Sequence, residues 1–86
     1  MIVRFTKKAK KEYDDIPKSY QERIMDGIKG LTKKPPEGDI KVLQGYNDGT
    51  KRLRVGKYSI IYKYLNEDVL EILLILDIGT RGDIYK

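Results

Sequence analysis

From residue 51 onward the chain alternates β-prone apolar and polar residues through three runs, Lys51–Val55, Tyr58–Leu65 and Val69–Ile78, parted only by Gly56-Lys57 and Asn66-Glu67-Asp68. Connections this short join antiparallel neighbours, because a parallel crossover needs roughly a dozen residues or more. Gly-X in a two-residue loop suits a type II′ hairpin. It pairs Val55 with Tyr58, Arg54 with Ser59 and Leu53 with Ile60, so Leu53, Val55, Tyr58, Ile60 and Tyr62 share one face. If the next loop spans Asn66–Asp68, Tyr62 faces Ile72, Ile60 faces Leu74 and Tyr58 faces Leu76. The other face then collects Arg52, Arg54, Ser59, Ile61, Lys63, Glu71, Leu73, Ile75 and Asp77.

The apolar face needs a cover, and the first third of the chain supplies one. Ile2–Phe5 reads as a short strand, and Thr6 suits the N-cap of a helix reaching about Asp15 whose buried stripe is Ala9, Tyr13 and Ile16. Pro17 fits the first turn of a second helix, along which Tyr20, Ile24, Ile28 and Leu31 recur at helical spacing. Gly27 and Gly30 each cost that helix roughly 1 kcal/mol relative to alanine, which points to close backbone packing or a frayed last turn. Pro35-Pro36 ends it. Residues 37–50 are polar and turn-rich, a connecting loop with room for one short strand, anchored by Val42 and Leu43. The expected fold is α+β: a two-helix hairpin packed on one face of a twisted antiparallel sheet.

Eighty-six residues allow one domain, 1–86, with one modest core. Without cysteine there are no disulfides or thiolate metal sites. The longest apolar stretch, near Leu70–Leu76, is too short to cross a bilayer, and Met1-Ile2-Val3-Arg4 lacks a signal-peptide pattern, so the expectation is a soluble cytoplasmic protein with no membrane partner. Eighteen Lys and Arg against thirteen Asp and Glu give a formal charge of +5, which favours polyanionic partners. Histidine is absent, which excludes a histidine-based nuclease and a serine–histidine hydrolase. Proton transfer would fall to Lys, Arg, Tyr or a carboxylate. No acidic cluster makes a convincing magnesium cage, so no metal or other cofactor is expected.

Two segments carry candidate chemistry. In Lys51-Arg52-Leu53-Arg54 the alternation places two guanidinium groups on one face of a strand, roughly 7 Å apart, where they can chelate neighbouring phosphates. The same spacing fits a solvated strand whose edge is protected by charge. In the ending Ile78-Gly79-Thr80-Arg81-Gly82-Asp83-Ile84-Tyr85-Lys86, a long apolar strand stops at glycine beside that face. Arg81 there can stabilise an anionic phosphorane and Tyr85 can stack on a base or share a proton; alternatively Arg81 pairs with Asp83 and Tyr85 packs on the core. Tyr58, Tyr62 and Tyr64 lie within the strand pattern as core or rim residues.

Taken in order and at these distances, the strand-plus-helix opening from Ile2 through Ala9, Ile16-Pro17, Leu43-Gln44-Gly45, Arg52 through Tyr62 and Ile78 through Tyr85 resemble the RelE/ParE family of toxin–antitoxin toxins over almost the whole chain. The resemblance implies a microbial-ribonuclease-like α+β fold and a cognate antitoxin that wraps the toxin, with operator DNA reached only through the antitoxin. For RelE-like members it implies an endoribonuclease of the prokaryotic cytoplasm that enters the ribosomal A site and cuts messenger RNA without a metal, using the ribose 2′-hydroxyl as nucleophile. Arg52 then corresponds to a basic strand residue acting as general base or phosphate anchor, Arg81 to the arginine of transition-state stabilisation and leaving-group protonation, and Tyr85 to the tyrosine that orients or stacks on the RNA. Arg54 is a second phosphate contact, with Lys51, Ser59 and Lys63 as further RNA-binding positions. Arginine is a poor base because its pKa exceeds about 12, which favours an electrostatic role for Arg52. Lys51 is a nearby alternative, although strand parity points it to the other face. Ser59 and Thr50 depart from the family pattern, standing where many members carry arginine and some ribonuclease members carry lysine. Those departures keep two alternatives open: a ParE-like inhibitor of DNA gyrase, and a catalytically weak module that binds the antitoxin and tunes its operon.

Overall fold

The computed structural model describes residues 1–43 and 48–80. Its elements are β1 (Ile2–Phe5), α1 (Lys7–Asp14), α2 (Lys18–Gly30), β2 (Asp39–Val42), β3 (Lys51–Val55), β4 (Tyr58–Glu67) and β5 (Leu70–Thr80). The strands form one sheet in the order β1-β5-β4-β3-β2. Two helices on an α+β sheet match the expected architecture, with one difference: β1 runs parallel to β5, which makes the sheet mixed. No local turn sets that pairing. The helical hairpin intervenes between β1 and the remaining strands, so the direction of β1 follows from where the helices return the chain. No helix among the described residues is long and apolar enough to cross a membrane.

Local chemistry explains the helices. The Thr6 hydroxyl accepts from the Ala9 amide at 3.1 Å, which satisfies one orphan donor at the start of α1. Pro17 stands one position earlier than expected, as the N-cap of α2 with ψ 142° and not in its first turn, and its carbonyl accepts from the Tyr20 and Gln21 amides. Ile24, Ile28 and Leu31 are fully buried on its inner stripe, and Tyr20 is half-buried. At its end the Tyr64 hydroxyl donates to the Leu31 carbonyl at 2.8 Å. Gly27 marks close packing rather than fraying, because a Cβ there would lie 2.8 Å from Val55 Cγ2 and 3.2 Å from Leu53 Cδ2.

The β3–β4 hairpin has the expected register, with Val55 opposite Tyr58, Arg54 opposite Ser59 and Leu53 opposite Ile60. Gly56 takes φ +58°, as the tight turn demands. The β4–β5 pairing differs from expectation. Asp68 accepts the left-handed region at φ 53°, so Asp68-Val69 suffices as the turn, and Asn66 and Glu67 join β4. Tyr62 therefore faces Ile75 instead of Ile72, Ile60 faces Ile78 instead of Leu74, and Tyr58 faces Thr80 instead of Leu76. At Tyr62 the shift is three residues, an odd number that exchanges the faces of the first half of β5, whereas at Ile60 and Tyr58 it is four and keeps them. Leu73 and Ile75, expected on the arginine face, enter the core. A bulge in the register between Ile61 and Tyr62 skips Leu76 and returns Ile78 to the helix side.

The core is one cluster in which Ala9, Ile16, Ile24, Ile28 and Leu31 meet Leu53, Tyr58, Ile60, Tyr62, Leu73, Ile75 and Ile78. Each fully buried aliphatic side chain here is worth roughly 1.5–3 kcal/mol relative to exposure. Of the two expected loop anchors, Leu43 is buried but Val42, the last residue of edge strand β2, is 64% exposed, and Ile40 packs on the core in its stead. Tyr62 is fully buried with its hydroxyl unpaired among the described residues, and burial pushes its pKa up to about 12.

β1 covers only the first half of β5, and α1 takes over beyond it. Thr6 Oγ1 donates to the Leu76 carbonyl at 3.2 Å, the Ile78 amide donates to Glu12 Oε1 at 3.1 Å, and Lys8 Nζ lies 2.6 Å from Asp77 Oδ1. Burial and the neighbouring Asp77 carboxylate raise the Glu12 pKa, while hydrogen bonds from Lys8 and Glu12 outweigh burial at Asp77 and lower its pKa.

Three measurements test this account. Gly27→Ala should lower stability in urea by about 1–2 kcal/mol, because overpacking against Val55 exceeds the gain in helix propensity. Tyr62→Phe should leave stability unchanged or raise it by up to about 1 kcal/mol, since it removes an unsatisfied buried hydroxyl. A raised carboxyl pKa in the folded state stabilises the fold below the ordinary Glu value and loses that contribution as pH rises through the folded value. Wild type compared with Glu12→Gln should therefore show its greatest relative stability below pH 4.5, declining above it; a relative stability that climbs with pH would contradict the assignment.

Candidate functional site

Both helices pack on the Leu53–Ile60–Tyr62 side of the sheet. The opposite side carries Arg52, Arg54, Ser59, Ile61 and Lys63, joined from β2 by Asp39 and Lys41, which pair with Arg54 and Arg52. Ile61 and Ile72 on this side are buried outside the main core. Four of the expected site residues, Arg52, Arg54, Ser59 and Lys63, thus share one face. Lys51 does not join them: strand parity turns it to the helix side, where its ammonium lies 5.6 Å from the centroid of the Tyr64 ring. Arg81 and Tyr85 lie outside the described residues.

The arginine face is drier than a solvated strand surface. Arg52 is 4% exposed and Ser59 fully buried, while Arg54 and Lys63 are half-buried. Arg52 Nη2 meets Asp39 Oδ1 at 3.5 Å, but that carboxylate is itself mostly exposed. Arg52 Nε, Arg54 Nε and Ser59 Oγ are buried with no hydrogen-bond partner among the described residues. Desolvated, incompletely paired guanidinium groups hold positive potential in a medium that screens it poorly, and they present charge-assisted donors of the kind phosphate accepts.

The sequence reading missed what Asp48 does. Its carboxylate accepts from both the hydroxyl and the amide of Thr50, and it forms an ion pair with Lys63 at 3.4 Å. These contacts lower the Asp48 pKa, the Thr50 hydroxyl contributing most. Thr50 is itself 1% exposed, and part of the Lys63 charge is answered within the chain. The signal was present in Asp48-Gly49-Thr50, since aspartate readily bonds the backbone two residues on. Positive charge on this face therefore comes from the buried Arg52, the half-buried Arg54 and the exposed Lys41. An open cleft of about 560 Å³ lined by Phe5, Thr6, Lys7, Lys10, Lys11, Asp14 and Asp15 lies beside α1, and none of the expected site residues lines it. Among the described residues no cluster of three or more acidic side chains is arranged to hold a metal ion.

Comparison with known proteins places this geometry. Residues 3–85 match the family model described as the ParE toxin of type II toxin–antitoxin systems, parDE. The fold is similar to a YoeB/ParE toxin from Agrobacterium tumefaciens, with TM-score 0.77 and 18% identity over 94% of this chain and 99% of that one. It is also similar to a chain of the RelB–RelE antitoxin–toxin complex from Methanococcus jannaschii, with TM-score 0.70 and 28% identity over 94% of this chain and 93% of that one. A chain of the archaeal RelE–RelB complex from Pyrococcus horikoshii gives TM-score 0.69 and 25% identity, covering 94% of each. The search of curated proteins returned no match. With nearly its whole length matched, the chain belongs to the ParE toxin family of type II toxin–antitoxin systems, within the RelE/ParE superfamily.

Proposed function

We propose that this toxin is a ribosome-dependent, metal-free endoribonuclease that cuts messenger RNA, inhibits translation in the prokaryotic cytoplasm and is held inactive by a cognate antitoxin. The observation that carries the reading is the pair of half-buried to buried guanidinium groups, Arg52 and Arg54, side by side on the sheet face away from both helices. It is supported by similarity to toxin chains solved in RelB–RelE complexes at 25–28% identity.

In the proposed reaction the ribose 2′-oxygen attacks the adjacent phosphorus, the bond from phosphorus to the 5′-oxygen breaks, and a 2′,3′-cyclic phosphate and a 5′-hydroxyl result. The 2′-proton leaves to solvent water, and the 5′-oxygen receives a proton from Arg81 or Tyr85, which solvent then restores. Arg52 and Arg54 neutralise the phosphorane oxygens, Ser59 and Lys63 border the strand, and Arg81 and Tyr85 supply leaving-group protonation and orientation of the RNA. Arg52 acts electrostatically, since a guanidinium already protonated near neutral pH has no free lone pair to take up the 2′-proton. Lys51, on the helix side, contributes at most to approach of the RNA.

A second reading has its own support. The matched family model is that of ParE, Ser59 brings no charge, and the Thr50 hydroxyl is committed to Asp48. These features favour an inhibitor of DNA gyrase, or a toxin whose main activity is binding its antitoxin and tuning the operon.

Primer extension on a reporter message in a purified translation system separates the readings. Cuts confined to ribosome-bound codons should fall about 100- to 1,000-fold with Arg81→Ala, the loss typical of one transition-state donor, and should weaken with Arg54→Ala. An uncut message with inhibited DNA supercoiling would establish the gyrase reading; an uncut message with neither effect would leave the antitoxin-binding role.

A further inference from the structure

The β3–β4 hairpin has a second basic surface on its helix side, and none of the site residues above belongs to it. At its tip Lys57 Nζ lies 5.2 Å from the centroid of the Tyr20 ring and 5.6 Å from that of Tyr58. Arg23, one turn along α2 from Tyr20, places its guanidinium carbon 5.4 Å from the same Tyr20 centroid. Tyr20 is fixed in turn by an edge contact with Tyr58, their centroids 5.1 Å apart. Arg23 and Tyr20 reach the turn itself, for a Cβ on Gly56 would lie 3.5 Å from Arg23 Nη2 and 3.6 Å from Tyr20 Cε1. Two cations from different elements thus converge on one ring.

Neither cation has an acidic partner among the described residues, whereas Lys8, Lys10, Lys33, Lys34, Arg52 and Lys63 all do. Both are exposed. The Tyr20 ring attracts each cation through its quadrupole, and an anion at the tip would gain the charge-assisted contacts that neither cation makes within the described residues. Because the aromatic contacts already restrict both long side chains, less rotamer entropy is lost on binding. The same hairpin carries Arg54 and Ser59 on its other side, so a strand of phosphates crossing the arginine face meets Lys57 and then Arg23 as it rounds the tip. An acidic peptide would gain the charge but not this continuity.

We propose that Arg23 and Lys57, positioned by Tyr20 at the β3–β4 tip, form a second phosphate-binding site that holds the RNA strand beyond the arginine face. The inference rests on the RNA-directed reading of that face, but it concerns binding and not cleavage. The test is fluorescence anisotropy with a labelled 2′-O-methyl RNA dodecamer, which cannot be cut by its own 2′-hydroxyl, titrated over a range of salt concentrations. In Arg23→Gln/Lys57→Gln, which keeps the aliphatic packing on the rings, the dependence of log affinity on log salt should flatten by about 1.4, two single-strand phosphate contacts at about 0.7 each. Lys10→Ala/Lys33→Ala removes the same net charge from lysines already paired with Asp14 and Glu37 and should leave the slope near wild type. An unchanged slope in the tip variant, or equal flattening in both variants, would overturn the proposal. So would loss of binding to labelled deca-glutamate with RNA binding intact, which would make the tip a protein site. Message cleavage with an unaltered slope would remove this inference alone, and salt-sensitive RNA binding through the tip without cleavage would remove the enzymatic reading alone.

Discussion

The pairing of β4 with β5 is the constraint on which the rest of the molecule depends. These strands lie at the centre of the sheet, and their register decides which half of each enters the core. Up to Ile75 the two-residue turn at Asp68-Val69 dictates parity and sends Leu73 and Ile75 under the helices. Past the bulge parity changes, so Ile78 returns to the helix side opposite Ile60. Without the bulge, Asp77 would stand where Ile78 does, and a carboxylate would enter an apolar cluster at a cost of several kcal/mol. With it, Asp77 emerges toward Lys8 and Glu12 at the flank.

That flank is a second consequence of the same pairing. β5 is eleven residues long and β1 only four, so half of β5 would present an open edge, a template for unwanted strand addition. α1 closes it with side chains. The Thr6 hydroxyl both caps α1 and reaches the Leu76 carbonyl, and Glu12 receives the Ile78 amide. The strand-to-helix connection can therefore be a single residue, because that residue serves both elements. Two carboxylates at the edge are tolerable because Lys8 lies against both, at 2.6 Å from Asp77 and 3.4 Å from Glu12.

What could be read from the sequence follows a physical division. The β3–β4 register was legible because glycine at the first position of a two-residue loop leaves little choice of geometry, and the Arg52–Arg54 face followed from it. The helical stripe was legible because Ile24, Ile28 and Leu31 repeat at the helical period. The β4–β5 register was not, since Asn66-Glu67-Asp68 contains several residues able to turn and the left-handed conformation of Asp68 costs little in isolation. Bulges leave a weaker mark still, for in Ile72–Leu76 every residue is apolar and either parity satisfies the pattern. The parallel pairing of β1 depends on contacts some seventy residues apart, which no local pattern encodes. Around the site, Asp48 was hidden by its loop, because its role depends on Lys63 arriving from β4.

The burial of Arg52 and Ser59 bears on what the arginine face is for. An isolated guanidinium withdrawn from water carries a desolvation penalty of several kcal/mol, and a partner as exposed as Asp39, at 3.5 Å, offsets little of it. A hydrophobic residue at position 52 would stabilise the fold better, next to Ile61 and near the small apolar group this face already has. Retaining arginine there makes sense if an anion completes its hydrogen bonding during function, so that desolvation paid for on folding strengthens each contact once the anion arrives. Arg52 Nε and Arg54 Nε, buried donors without a partner among the described residues, carry the same argument to the level of single atoms. Lys63 shows the contrast: its charge is already met by Asp48, so it shapes the border of the face more than its potential. The desolvated part of this face is therefore two guanidinium groups whose register is set by one hairpin turn, with Lys41 of β2 as an exposed neighbour.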